Sequence, residues 1–156
     1  KLIVDLIMID MIIIEDFVNN NQHNPRAAIE HHCMIENIIY ESIGEGKIGM
    51  QLVAEVTLNR VDNQRYGKSP EEICEVVYQR KQFSWTAIPE EERLVYTDDE
   101  YMQAAQVMYS VLYDELPRIL PENVLHYLNR RDATDLSWYD PNKVVYAHLN
   151  HEFLKL

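Results

Sequence analysis

Basic residues are scarce in this chain. Its 156 residues contain 14 Lys and Arg against 26 Asp and Glu, which gives a formal net charge of −12 at pH 7. This balance argues against binding nucleic acid through a general basic face, and it predicts repulsion from anionic membranes and wall polymers. Any anionic polymer would have to be bound through local contacts.

A long apolar run without charges is also missing. The first eighteen residues are rich in Ile, Leu and Met, but the stretch is interrupted by Asp5, Asp10, Glu15 and Asp16. These acids do not share one helical face, so a spanning helix would carry them into hydrocarbon. The stretch also lacks a small-residue cleavage site for a signal peptidase. We expect a helix over residues 1–18 that docks on the domain or on a second copy of the chain, without membrane insertion.

The chain length fits a single domain that buries its core without covalent staples. Residues 19–25 form an Asn-rich stretch ending in Pro, a composition typical of a linker. We therefore predict an N-terminal helix and linker over residues 1–25 and one folded domain over residues 26–156.

Cysteine is rare, and Cys33 and Cys74 do not form a paired metal-binding spacing. Cys33 lies in an apolar helix and Cys74 follows Ile73, so we predict small buried thiols that stay reduced, with a disulfide as the alternative.

Histidine is present six times without a strong zinc motif. His31 and His32 are adjacent, and His148 and His151 have a spacing that can share a helical face. No His-Glu-x-x-His or Cys-x-x-Cys spacing accompanies them. We predict no metal and no other cofactor.

Helical periodicity is clearest in the first half of the domain. Apolar residues spaced by three and four predict a helix from Ala27 to Glu41. Gly44 and Gly46 tolerate positive φ and predict that the chain reverses there. The mostly apolar stretch from Ile48 to Val61 predicts a central buried helix.

That central helix carries a polar stripe formed by Gln51, Glu55 and Asn59. Such a stripe either lines a cleft or faces solvent, and the spacing alone does not decide between them.

Capping boxes predict two further helices, one that begins near residues 69–72 and ends about Tyr78, and one that begins at residues 97–100. The second carries a structural apolar stripe that ends before Pro117. Short β-like runs over residues 124–128 and 143–149 predict a small hairpin. The fold class is thus α+β and mainly α, a small helical domain around a central buried helix with a hairpin near the C-terminus.

Glu41 is the strongest candidate for chemistry. It lies in the last turn of its helix, where the helix dipole disfavours a negative charge, and Ile38, Ile39 and Ile43 add desolvation. Both effects raise the pKa of a carboxyl group, as a general acid requires. The alternative is an ordinary solvated glutamate at a helix end.

A second constellation is Gln82-Phe83-Ser84-Trp85. An aromatic ring offers a flat apolar face to sugar C–H groups, while amide and hydroxyl groups bond sugar hydroxyls. Phe83 fits a core position equally well. Trp138 is either a sugar platform or a core anchor.

Several ordered blocks between residues 31 and 155 resemble the SleB/CwlJ family of cell-wall hydrolases. They are Tyr40-Glu41-Ser42-Ile43-Gly44-Glu45, residues 49–61, residues 73–79, residues 82–85, residues 125–129, Ser137-Trp138 and residues 148–153. The resemblance implies a lysozyme-like peptidoglycan-cleaving domain, often a lytic transglycosylase, with Glu41 as the catalytic acid. The chain departs from the family at Ser42 and Ile43, where Ala and Arg are usual. The loss of that Arg removes a charge close to the site.

The residues that we predict to contact glycan strands are Gln51, Gln79, Gln82, Ser84, Trp85, His126 and Tyr127. Gln51 belongs to the polar stripe, and Gln79 and Gln82 follow the short helix that ends near Tyr78. The choice of Gln82, Ser84, Trp85, His126 and Tyr127 rests on the resemblance.

The favoured mechanism uses Glu41 twice. It protonates the oxygen between N-acetylmuramic acid and N-acetylglucosamine, and then accepts the proton of the muramic acid C6 hydroxyl, which attacks C1 to give a 1,6-anhydro sugar. In a rival hydrolysis, Glu45 activates water. Alternatively, the Glu45 carboxylate stabilises the turn at Gly44 and Gly46 by accepting hydrogen bonds from backbone N–H groups.

The sequence leaves two other functions open. One is a metal-dependent N-acetylmuramoyl-L-alanine amidase, and the other is a non-catalytic acidic wall-binding protein on the same scaffold. Because no export signal is recognised, the enzyme is expected to be made in the cytoplasm and to act on the wall, as a phage lysin released by a membrane-permeabilising partner would.

Overall fold

The computed structural model describes residue 15 and residues 25–63, 72–113 and 115–155. The predicted N-terminal helix, its self-association and most of the linker lie outside these residues. So does the capping box at residues 69–72, apart from Glu72. Within the described part, no helix is long and apolar enough to cross a membrane.

The first helix, α1, spans Pro25–Glu41, which confirms the predicted helix and its end at Glu41. Its buried face includes Met34, Ile35 and Ile38, each at most 1% exposed. The chain then reverses through Gly44 and Gly46, whose φ angles are +76° and +71°. These conformations favour glycine, so the predicted turn is confirmed.

The second helix, α2, spans Gly46–Asp62 and is buried continuously from Gln51 to Val61. It is the predicted central helix. It packs against α1 and against α4, which spans Asp98–Leu112. The capping box of α4 is confirmed, because the Thr97 hydroxyl accepts the Glu100 N–H while the Glu100 carboxylate accepts the Thr97 N–H.

The polar stripe of α2 neither lines a cleft nor faces solvent, so both predicted alternatives are wrong. The Gln51 side chain donates to the Pro117 carbonyl at 3.0 Å. The Asn59 amide donates to the Pro121 and Val124 carbonyls at 2.9 and 3.0 Å. The stripe instead satisfies the backbone of the segment that crosses α2 before the sheet, because buried backbone groups require partners.

A disulfide joins Cys33 of α1 to Cys74 of α3, which spans Ile73–Val77. The prediction of a reduced pair is therefore wrong. Packing of α1 against α3 brings the two Cα atoms to 5.2 Å, within the range that a disulfide spans. The two cysteines are 41 residues apart, so no local pattern indicates that they approach each other.

The C-terminal part forms an antiparallel sheet of β1 (Val124–Asn129), β2 (Val144–His148) and β3 (His151–Lys155) in the order β1-β3-β2. The two predicted runs are strands, but they do not pair with each other as a hairpin. The hairpin is β2–β3, and β1 pairs with the other edge of β3. The α+β and mainly α fold class is confirmed.

Candidate active site

Glu41 ends α1 at the surface of a groove between the helices and the sheet. The preceding turn is anchored by buried Ile38 and Ile39 and closed by Ser42, whose hydroxyl donates to the Ile38 carbonyl. The Glu41 side chain is therefore held at a fixed place while its carboxylate reaches the groove. This position follows from the helix end that the sequence predicts.

Tyr127 of β1 donates its phenolic O–H to Oε2 of Glu41 at 2.5 Å. The pairing of Tyr127 with Phe153 of β3 fixes its position, and the two rings lie 5.4 Å apart. Burial, reinforced by the Glu41 charge, raises the pKa of Tyr127 well above its usual value. Tyr127 therefore keeps its proton and acts as a hydrogen-bond donor to Glu41.

The pKa of Glu41 is raised, chiefly because burial disfavours the charged carboxylate. The Tyr127 hydrogen bond and the positive charge of Arg60 act in the opposite direction, and burial prevails. The direction agrees with the sequence-based expectation. A carboxyl group in this state can donate a proton nearer to neutral pH than an exposed glutamate can.

Two cavities of about 460 and 560 Å³ adjoin at Glu41. Both are lined by Glu41, Ser84 and Tyr127. The first cavity is further lined by Tyr40, Ile43, Glu45, Trp85, Ile88, Arg93, Leu94, Asn129, Asp132 and His151. The second cavity is further lined by Arg60, Arg80, Lys81, Gln82, Phe83, Thr86 and Ala87. Because the two cavities share Glu41, Ser84 and Tyr127 in their walls, we refer to them together as the groove.

Glu45 also faces the first cavity, from the turn before α2. Its Oε1 lies 3.1 Å from Nδ1 of His151, and its backbone carbonyl lies 2.9 Å from Nε2 of His148. Its Oε2 is buried and has no hydrogen-bond partner in the part of the chain described. The carboxylate does not bond backbone N–H groups at the helix start, so that suggested role is wrong.

Trp85 is only 4% exposed, although it borders the first cavity. Its indole N–H donates to Oδ1 of Asn37 at 2.8 Å. The Tyr40 ring lies 4.8 Å from the indole and the Arg93 guanidinium 5.0 Å from it. Trp85 is therefore mainly a core residue that supports the groove wall, and neighbouring Tyr40, which is half-buried, lines the same cavity.

The other predicted contacts separate into two groups. Gln82 and Ser84 line the groove, as Tyr127 does. Gln51, Gln79 and His126 do not line either cavity. Gln51 is buried under the segment described above, Gln79 is exposed, and His126 lies on the strand position next to Tyr127, so the alternation of a β-strand directs it away.

The model of a family described as cell wall hydrolases matches residues 44–154, more than two thirds of the chain. The chain belongs to this family. Comparison with curated proteins and with solved structures gives no significant match to either. Family membership supports a cell wall hydrolase that degrades peptidoglycan. The match begins just after Glu41, so the case for Glu41 rests on the geometry of the groove.

The histidines of this cell wall hydrolase are not arranged as the ligands of a zinc site would be. His148 and His151 do not share a helical face, because they pair across the turn between β2 and β3. His32 lies 3.0 Å from the Glu36 carboxylate on α1. Among the residues that the structure describes, no group of three or more His, Cys, Asp or Glu side chains is arranged to hold a metal ion.

Sequence reasoning missed several residues that build the groove, including Arg60, Arg93 and Asp132. Arg60 sits on an apolar helix, and its buried Nε donates to the Leu125 carbonyl at 2.7 Å. A charged residue inside an otherwise apolar helix was the available signal, because such a residue is seldom buried without a partner.

Proposed function

We propose that this cell wall hydrolase is a lytic transglycosylase that cleaves the bond between N-acetylmuramic acid and N-acetylglucosamine. The proposal rests on the environment of the Glu41 carboxyl group. This group has a raised pKa, accepts a hydrogen bond from the Tyr127 hydroxyl and lies where two cavities adjoin. A glycan strand in such a groove would place sugars on both sides of the acid.

Tyr127 orients the acid for the first step. Because its O–H donates to Oε2 of Glu41, that oxygen acts as an acceptor and the acidic proton belongs on Oε1. Oε1–H then donates its proton to the glycosidic oxygen as the bond to muramic acid C1 breaks. General acid catalysis of this kind contributes about 10²–10⁴-fold to a rate.

The resulting carboxylate serves as the base in the second step. It accepts the proton of the muramic acid C6 hydroxyl, whose oxygen forms the new bond to C1 and closes the 1,6-anhydro ring. One C–O bond breaks, one forms, and Glu41 regains its proton without consumption of water. Tyr127 and the charge of Arg60 favour the carboxylate between these steps. The nucleophile belongs to the same sugar, so its effective concentration is high.

Hydrolysis is the second candidate reaction, and one observation favours it. Glu45 faces the same cavity as Glu41, and its buried Oε2 has no hydrogen-bond partner among the described residues. A water held there could be activated by this carboxylate, with His151 orienting it through Oε1. The product would be a reducing sugar.

Digestion of purified peptidoglycan in H₂¹⁸O separates the reactions. Mass spectrometry of the products from the wild type, Glu41→Gln and Glu45→Gln should show anhydro sugars without ¹⁸O from the wild type and no products from Glu41→Gln. Exposed Glu91→Gln is the matched control and should retain activity. Reducing ends that contain ¹⁸O would establish hydrolysis, free stem peptides would establish an amidase, and intact glycan that binds the protein would establish a wall-binding role.

The disulfide supports a site of action outside the reducing cytoplasm, because disulfides persist in oxidising compartments. We expect protein recovered from the cell envelope to resist thiol alkylation at Cys33 and Cys74 until it is reduced. Alkylation of both cysteines without reduction would contradict this assignment.

A further inference from the structure

The second cavity has a charge opposite to that of the chain as a whole. The chain carries a formal net charge of −12. Among the described residues that line this cavity, the basic ones are Arg60, Arg80 and Lys81, and Glu41 is the one acid. The first cavity is lined by the acids Glu41, Glu45 and Asp132 and also by Arg93 and His151. Basic residues thus outnumber acids in the second cavity, whereas acids outnumber Lys and Arg in the first.

Arg80 and Lys81 supply the exposed part of this positive charge. Neither forms an ion pair with an acid in the described residues. Both lie in the turn that follows α3, which is closed by a 3.1 Å hydrogen bond from the Gln82 N–H to the Gln79 carbonyl. Cations that are not neutralised by nearby acids remain available to an anionic ligand.

The backbone at Lys81 also departs from the usual conformation of a lysine, as the backbone at Leu149 does for a leucine in the turn between β2 and β3. The φ angle of Lys81 is +65°, in the left-handed region that favours glycine. A lysine in this conformation is disfavoured relative to glycine or asparagine, and such strain clusters at binding sites and active sites. The sequence thus places a charged residue at a turn position where glycine would be easier to accommodate.

Arg60 gives the cavity a rigid base. It is 4% exposed, its Nε is bonded to the Leu125 carbonyl, and its guanidinium lies 4.8 Å from the centre of the Phe83 ring. These contacts fix the Arg60 guanidinium in the wall of the cavity, beneath the exposed side chains of Arg80 and Lys81. A negative group that enters the cavity therefore meets positive charge from the base and from the rim.

We propose that the second cavity binds a carboxylate of the substrate, and so determines which sugar occupies which side of Glu41. This inference rests on the proposed function. In the glycan, carboxylates belong to muramic acid, through its lactyl ether or through the peptide attached there, whereas N-acetylglucosamine has none. Muramic acid and its substituent therefore occupy the side of Arg80 and Lys81, and N-acetylglucosamine occupies the side of Asp132.

Binding of three ligands to the Glu41→Gln protein tests the inference. The ligands are a disaccharide-peptide from peptidoglycan, the same disaccharide with the peptide removed and the lactyl carboxylate free, and an N-acetylglucosamine oligomer. Calorimetry would compare Arg80→Gln/Lys81→Gln with the matched control Arg118→Gln/Lys143→Gln, both made in the Glu41→Gln background. Arg118 and Lys143 are exposed and do not line either cavity.

The Arg80→Gln/Lys81→Gln change should raise Kd by about tenfold for ligands with a recognised carboxylate, and the loss should shrink at high salt. The N-acetylglucosamine oligomer should bind equally to both proteins. A loss shared by both disaccharides identifies the lactyl carboxylate, and a loss confined to the disaccharide-peptide identifies the peptide. An equal loss for all three ligands, or no loss for any, would overturn the inference.

Failure of this inference is distinguishable from failure of the proposed function. If the inference alone is wrong, the wild type still produces anhydro sugars and the Kd values do not depend on Arg80 or Lys81. If the proposed function alone is wrong, the products contain ¹⁸O or the glycan strands stay uncleaved. The Kd of ligands with a carboxylate still depends on Arg80 and Lys81 in that case.

Discussion

Glu41 and Glu55 are both shielded from water, and their hydrogen bonds differ. Glu55 lies in the middle of α2 and is 0% exposed. Its Oε1 accepts the N–H groups of Ile119 and Leu120 at 2.9 Å each, and its Oε2 accepts the Gln51 amide at 2.9 Å. Every oxygen of this carboxylate is occupied by donors of the protein, so it serves as an anchor for the segment that leads to the sheet.

Glu41 stands at the end of its helix and opens onto a groove. Tyr127 donates to one of its oxygens, and burial raises its pKa. A buried carboxylate whose oxygens are all bonded by donors of the protein is structural, whereas one that is partly bonded and faces a cavity can exchange a proton with a substrate. Burial by itself does not identify a catalytic acid.

Exchanging each glutamate for glutamine should separate these roles most clearly in the rate of cleavage. Glu41→Gln removes the proton donor, so we expect at least about a 10³-fold loss of peptidoglycan cleavage at pH 6. Glu55→Gln should retain most of the activity of each folded molecule. Turbidity loss of purified cell walls, corrected for the folded fraction by circular dichroism, measures both. Equal losses in the two variants would remove the distinction between them.

Stability should show the reverse order. Glu55→Gln weakens the bonds to Ile119 and Leu120 and places an amide N–H₂ against that of Gln51, so we expect about 2–3 kcal/mol lower free energy of unfolding. Urea denaturation measures the change, with exposed Glu75→Gln as the control that should be nearly neutral. A loss below about 0.5 kcal/mol would mean that Glu55 is not an anchor.

Removing the Tyr127 hydroxyl tests the environment of Glu41. Tyr127→Phe should lower the cleavage rate about 10–100-fold, because a hydrogen bond to a charged group is lost. It should also raise the pKa of Glu41 further, since that bond lowers it. Activity depends on protonated Glu41, so the decline at alkaline pH should move upward.

Tyr146→Phe is the control for this measurement, because Tyr146 lies outside both cavities. Its pH profile should match that of the wild type. A downward shift for Tyr127→Phe would contradict the assigned direction of the hydrogen bond.

The smallest effect concerns stability against pH. A carboxyl group whose folded pKa is raised stabilises the fold when protonated, and this contribution is lost as pH rises through the folded pKa. Glu41→Gln should therefore melt at a higher temperature than the wild type above that pKa. The difference should vanish below the pKa of an ordinary glutamate. A variant that is less stable at neutral pH would show that Glu41 is not destabilised by its burial.

Local patterns predicted much of this fold. The turn at Gly44 and Gly46 and the capping box at Thr97 and Glu100 depend on neighbours within a few residues, and the structure contains both. The end of α1 at Glu41 follows from the same local signals. These features are determined by backbone geometry and short-range hydrogen bonds, which a single sequence displays directly.

Long-range partners could not be predicted in the same way. Glu55 meets Ile119 across 64 positions, and Glu41 meets Tyr127 across 86. The disulfide and strand β3 also depend on packing between distant segments. From the sequence alone, the polar stripe of α2 could therefore not be distinguished from a cleft lining or a solvent-exposed face. Tyr127 was predicted as a site residue from the family resemblance, because periodicity does not indicate it.

A titration of the Glu41 carboxyl carbon by ¹³C NMR is the most direct test of Glu41 as the acid of the groove. Protein labelled at the glutamate side-chain carboxyl carbon is titrated, and the spectrum of Glu41→Gln assigns the resonance. We expect a pKa of Glu41 above that of an ordinary glutamate, with a further rise in Tyr127→Phe. A Glu41 carboxyl group that titrates at or below the ordinary value would contradict its role as the acid of this groove.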